Sequence, residues 1–119
     1  MASDKDSTIS DLKKVIAKFL KERDWSKYHT IKNLIQAIQI EAAELSEIFL
    51  FKELSVRDVL SNKELFENVS DEIADVFIYL LSLVNELDLD LTDAFFKKME
   101  KNRQKYSTEE FKNGNYHKK

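Results

Sequence analysis

The stretch IKNLIQAIQIEAAELSEIFLF, residues 31–51, decides the fold class. Its apolar side chains fall at Ile31, Leu34, Ile35, Ile38, Ala42, Leu45, Ile48 and Phe49, which is helical spacing and not the alternation of a half-buried strand. Wound at about 100° per residue, they form a broad stripe of the kind that packs in a bundle. Thr30 stands ahead of the stripe as an N-cap, and the helix is expected to run to about Phe51.

The pattern repeats on both sides. Upstream, Thr8 or Ser10 caps a helix that carries Leu12, Val15, Ile16, Phe19 and Leu20 and ends near Arg23. Asp24 to Thr30 (DWSKYHT) lacks helical periodicity and reads as a connection. Downstream, Ser55 and Asp58 frame a short helical turn, Ser61 or Asn62 caps a long helix reaching about Leu87, and DLTD at 90–93 opens another. That last helix puts Leu91, Ala94, Phe95, Phe96 and Met99 on one side and Lys97, Lys98, Lys101, Asn102 and Arg103 elsewhere. Its basic end suits the negative C-terminal pole of the helix dipole or an anionic ligand, and both readings stay open. The expected organisation is a flexible tail over residues 1–7, one all-α, four-helix bundle-like domain over 8–106, and a polar C-terminal tail over 107–119.

Composition agrees. The chain has 119 residues, no Pro, no Cys and a single glycine, Gly114, so the turn chemistry of a β-sandwich or doubly wound sheet is missing. Without Cys there is no disulfide framework and no thiolate metal site. A balance of 19 basic to 22 acidic residues, net -3, argues against a dedicated nucleic-acid surface. MASDKDSTIS contains no apolar signal core, and the greasiest run, Val76 to Val84, is about half the ~18 residues of a membrane span. A soluble, cytoplasmic protein without membrane or nucleic-acid partners is expected. At this size a thin monomer is marginal, so chain association is expected as well.

The informative anomaly is acidic. Glu41 shares the direction of Leu34 and Ile48 to within about 20°, and Glu44 lies about 60° to one side, near Ala37. Glu47 is turned about 120° away, toward the flank. On the next long helix Glu72 lies within about 20° of Leu83 and about 40° of Val76, with Asp75 and Tyr79 on its other side. Two helices thus each push a carboxylate pair from the edge of an apolar stripe. Like charges gathered there must be protonated or balanced, by Lys or Arg from another helix or by a hard divalent cation. A di-iron bundle wants Glu-x-x-His, and neither His29 nor His117 stands three residues after a glutamate. Mg²⁺, with Mn²⁺ as a possible substitute, fits all-oxygen ligands and keeps positions open for substrate phosphates.

The pairs E-A-A-E (Glu41, Glu44) and E-I-A-D (Glu72, Asp75) resemble the E-x-x-E…E-x-x-D signature of the MazG-like nucleoside triphosphate pyrophosphohydrolases. RDWSKYHTIKNL (23–34), ELSEIF after the first pair, DVFIYL from Asp75 and KMEKNRQKY (98–106) extend the resemblance to the compact dCTP pyrophosphatase branch. The resemblance implies a MazG-type helical fold assembled as a dimer or tetramer. It also implies Mg²⁺-dependent cleavage of a (deoxy)nucleoside triphosphate to the monophosphate and pyrophosphate. Glu41, Glu44, Glu72 and Asp75 would ligate metal, one of them helping to deprotonate the attacking water. Lys98, Asn102 and Arg103 would meet the phosphates or sugar, and Trp25, His29, Phe51 and Tyr79 would surround the base. Phe51 stands where the branch tends to have Trp. The aromatic residues equally suit core or interface packing. Alternative expectations are a relative acting on dUTP, dATP or phosphoribosyl-ATP, and a catalytically silent helical module whose acids pair with lysines across a subunit interface.

Overall fold

The structure, a computed structural model, describes residues 2–119. Among the described residues all regular structure is helical: α1 (Ile9–Arg23), a 3-10 turn (Ser26–Tyr28), α2 (Ile31–Glu47), α3 (Val56–Ser61), α4 (Lys63–Glu86) and α5 (Leu91–Lys105). Each α-helix starts on a side-chain cap. Thr8 and Ser55 form reciprocal capping boxes with Asp11 and Asp58, and Thr30, Asn62 and Asp90 accept from the backbone N–H of Asn33, Leu65 and Asp93. Such a cap contributes on the order of 1 kcal/mol to its helix. With no glycine before Gly114, left-handed positions fall on Asp24 (φ 54), Phe51 (φ 59) and Asp88 (φ 49). Aspartate tolerates that conformation better than most residues; phenylalanine does not.

The four long helices expected from the periodicity are present, and the turn at Ser55 develops into α3. The expected extent of α2 needs correction: it stops at Glu47 and not near Phe51. Residues 46–52 continue as hydrogen-bonded turns, with Phe49, Leu50 and Lys52 donating to Ser46, Glu47 and Phe49. Apolar periodicity continues through Ile48 and Phe49, but the left-handed Phe51 ends any helical path.

The chain divides into two compact units, one reaching Asp88 and the other spanning Leu89–Lys119, so the span 8–106 crosses both. In the first unit α2, α1 and α3 all pack on α4. α2 and α4 run antiparallel: the end of α2 at Ile48 shares a cleft with Asn68, whereas His29, just before α2, faces Tyr79. The core is formed by Ile16, Leu20, Leu34, Leu81 and Val84, with Ser82 among them. It sits where α1 also crosses α4, and there Asn85 Nδ2 donates to the Lys13 carbonyl at 3.2 Å. Farther along the α2–α4 seam, Glu41, Ile48 and Glu72 are only half-buried. The apolar stripe thus leaves the core and carries its acids into a more open region.

The terminal segments also make contacts. Asp6 and Ser7 donate to the Ser3 carbonyl ahead of α1. In the second unit residues 107–119 fold back on the end of α5, where Phe111 meets the rings of Tyr106 and His117. No helix among the described residues is long and apolar enough to cross a membrane.

Candidate functional site

Antiparallel packing of α2 on α4 brings one carboxylate oxygen each from Glu41, Glu72 and Asp75 within 4.8 Å of one another. Glu41 Oε2 and Glu72 Oε2 are buried and have no hydrogen-bond partner. Glu44 is exposed one turn beyond Glu41 and lines an adjoining cleft with Glu47, Asn68, Asp71 and Glu72. Among the described residues no Lys or Arg of the chain forms an ion pair with Glu41, Glu44, Glu72 or Asp75. Oxygens this close, of one charge and without internal cations, suit a hard divalent ion and are difficult to explain as a solvated face.

The electrostatics follow from that crowding. Burial, then the hydrogen bond and charge of Glu44, then the charges of Asp75 and Glu72 push the Glu41 carboxyl up to about 7. Burial and the charges of Glu44 and Asp75 also raise Glu72 above the ordinary glutamate value. A carboxyl raised on folding contributes stability that is complete below its unfolded value of 4.5 and is lost as the pH rises through about 7. The metal-free protein is therefore expected to melt at progressively lower temperature from pH 4.5 to 7. Melts in EDTA check this, and Glu41→Gln should flatten the slope; an unchanged slope would show that the acids do not repel.

Beside the acids, the first unit holds a cavity of about 390 Å³, within the ordinary range for small-molecule sites. Glu41 and Asp75 stand in its wall with Trp25, His29, Tyr79 and the buried Ser82. The RDW segment builds one side. Asp24, left-handed at the end of α1, turns the chain so that Trp25 N–H donates to the Leu20 carbonyl and the indole meets Phe19 edge-on at 5.8 Å. Arg23 covers the Phe19 ring at 3.8 Å. Asn33 does more than begin α2, because its Nδ2 donates to the Tyr28 carbonyl at 2.9 Å and ties down the loop that carries His29. The His29 and Tyr79 rings lie 6.3 Å apart, and His29 Nδ1 is buried without a partner.

The other sequence-derived residues lie elsewhere. Phe51 is 98% exposed in the turn after α2 and does not line the cavity. Lys98, Asn102 and Arg103 are on α5 in the second unit, where Arg103 pairs with Glu100 at 2.7 Å.

The profile of the MazG-like family matches residues 36–117, more than half of the chain and the whole of both acidic pairs. The chain belongs to the MazG-like family. It is also similar to dCTP pyrophosphatase 1 of Rattus norvegicus, with 34% identity over 104 residues, and to that of Homo sapiens, with 34% over 107. These alignments cover 83% of this chain and 59% of either relative, so the chain spans about three-fifths of their length. A solved pyrophosphatase from Archaeoglobus fulgidus is 37% identical, with a TM-score of 0.76 over 90% of this chain and 99% of that one.

In this MazG-like chain some cavity residues escaped the sequence reading. Phe19 and Ile78 pass for ordinary stripe residues, and Ser82 for a helix-interior serine. A signal for Ser82 exists, because it stands seven residues after Asp75 and shares its face of α4. Its hydroxyl donates to the Ile78 carbonyl at 2.9 Å, which leaves its oxygen as an acceptor.

Proposed function

We propose that this MazG-like protein hydrolyses (deoxy)nucleoside triphosphates to monophosphate and pyrophosphate with Mg²⁺, favours dCTP-like substrates, and acts in the cytoplasm to cleanse nucleotide pools. One observation carries the reading: three carboxylates converge within 4.8 Å, without an internal cation among the described residues, and two of them, Glu41 and Asp75, stand in the wall of a cavity that has aromatic sides. The names of the dCTP pyrophosphatase relatives support the choice of substrate.

The orphaned oxygens of Glu41 and Glu72 and the all-oxygen donor set fit Mg²⁺, with Mn²⁺ as a substitute. Glu41, Glu72 and Asp75 would hold it, with Glu44 at the edge. Bound there, the ion would neutralise phosphate charge and acidify water. The chain's own groups do the rest. The Trp25 indole and the Tyr79 and His29 rings offer flat faces to a heterocycle, and the Ser82 oxygen accepts from an amino-bearing base. Lys98, Asn102 and Arg103 supply positive charge and donors for phosphates and sugar. A carboxylate of the cluster takes the proton of the attacking water.

A homodimer or homotetramer completes the proposal. Val15 (66%), Val56 (77%) and Leu60 (65%) join Phe51 in exposing apolar surface, and a second copy would cover such surface and bring Phe51 into a shared site.

The test is a panel of dCTP, dUTP, dATP and phosphoribosyl-ATP with Mg²⁺, followed by pyrophosphate release. dCTP is expected to show the highest kcat/KM. Saturating Mg²⁺ should also raise the melting temperature over EDTA, by an amount corresponding to about 2.7 kcal/mol at a hundred times its Kd. A silent helical module would release no pyrophosphate and melt identically with Mg²⁺ or EDTA.

A further inference from the structure

The third residue of a helix is a good place for a carboxylate, which can accept from the backbone N–H of the cap and faces the positive pole of the dipole. α1, α3 and α5 place Asp11, Asp58 and Asp93 there. α2 instead has Asn33 in that position, behind its Thr30 cap. The amide loses the carboxylate's benefit and gains a donor. While the Asn33 backbone N–H donates to Thr30 Oγ1 at 3.1 Å, its Nδ2 donates to the Tyr28 carbonyl at 2.9 Å, a bond that an ionised aspartate cannot make.

That carbonyl belongs to the peptide joining Tyr28 to His29. The other polar group of the same planar unit, the His29 N–H, donates to the Ser26 carbonyl at 3.1 Å. Bonded at both edges, the peptide is held against rotation, and it sets the direction in which the His29 side chain leaves the loop. The loop's other anchor, Trp25 N–H on the Leu20 carbonyl, lies at its far end. Asn33 is thus the tie on the α2 side. The His29 ring stands in the cavity wall, 6.3 Å from the Tyr79 ring and tilted 36° to it, whereas Asn33 is exposed and does not line the cavity.

We propose that Asn33 is a positioning residue: through the Tyr28–His29 peptide it fixes the His29 ring opposite Tyr79 and so shapes one wall of the cavity. The inference rests on the reading that the cavity takes the base of a nucleotide, but the placement of His29 can be measured without turnover. A wall ordered before binding lowers the cost of holding the base and leaves the carboxylates untouched, so KM responds more than kcat.

Two variants of the full chain test this. Asn33→Ala removes the donor alone; Asn33→Asp replaces it with an acceptor and supplies the carboxylate that closes the capping boxes of α1 and α3. The chain has only two histidines, so NMR can follow the His29 ring protons with His117, in the second unit, as internal reference. In both variants the His29 resonances should move as the ring shifts against Tyr79, while those of His117 stay. KM for dCTP should rise about threefold to tenfold, the scale of one lost hydrogen bond, with kcat within about twofold of wild type. Asn33→Asp has a helix start at least as strong and carries the NMR arm should Asn33→Ala fold poorly. Unmoved His29 resonances, or an unchanged KM in an active enzyme, overturn the inference. A KM that rises in Asn33→Asp alone traces to the added charge and overturns it too. Moved His29 resonances in a protein that hydrolyses no nucleotide would remove the proposed activity and leave the positioning of His29 standing.

Discussion

Glu41→Gln is expected to lower Mg²⁺-dependent pyrophosphate release at least about a hundredfold, the scale of losing one preorganised electrostatic group at a reacting centre. The substitution is nearly isosteric, so α2 and its packing on α4 should persist. It removes one of the three convergent carboxylate oxygens and the carboxyl pushed up to about 7. A second consequence separates ligation from folding. In the wild type, metal must displace a proton from Glu41, so Mg²⁺ affinity should rise with pH through about 7. In Glu41→Gln affinity should be weaker and the pH dependence much flatter. Single-turnover assays and titrations of Mg²⁺ at several pH values measure both. Asp75→Asn should act in the same direction, and full turnover by either variant would falsify the assignment of the cluster.

Leu34→Ala is expected to destabilise the first unit by about 2–5 kcal/mol, the range for truncating a fully buried leucine. Leu34 is 1% exposed on α2, and Leu81 is equally buried on α4. Few residues are so completely enclosed, so the unit has little apolar reserve against a cavity at this position. Denaturant melts should show a lower midpoint with a similar slope. Because Glu41 stands two helical turns from Leu34 on the same face, the variant should also loosen the acidic cluster and weaken Mg²⁺ binding at temperatures where it remains folded. A change within about 0.5 kcal/mol would mean that Leu34 is not part of the core.

Much of the site was legible because a helix relates its own residues by fixed rotation. Leu34, Glu41 and Ile48 lie seven residues apart, so an acid on the apolar line is visible before any coordinates exist. The same holds for Glu72 and Asp75 on α4. The run into Phe51 shows where helical rhythm alone misleads, because α2 stops at Glu47. Phe51 follows an apolar run that keeps helical rhythm, yet the backbone turns left-handed there, and its exposed ring is not among the residues that line the cavity with Trp25, His29 and Tyr79. Asn33 falls in the first turn of α2, where local pattern gives it no special part, and its bond to the Tyr28 carbonyl depends on the path of the loop.

Short-range sterics, capping chemistry and the 3.6-residue period act within a few residues, so the primary structure alone determined the helices, their starts and the faces that carry the acids. The tertiary structure decided that Glu41, Glu72 and Asp75 come within 4.8 Å, that Ser82 joins the cavity wall, and that residues 107–119 return to α5. Those facts are distances between segments remote along the chain. They are set by how side chains interlock where helices cross, and no local pattern encodes that packing.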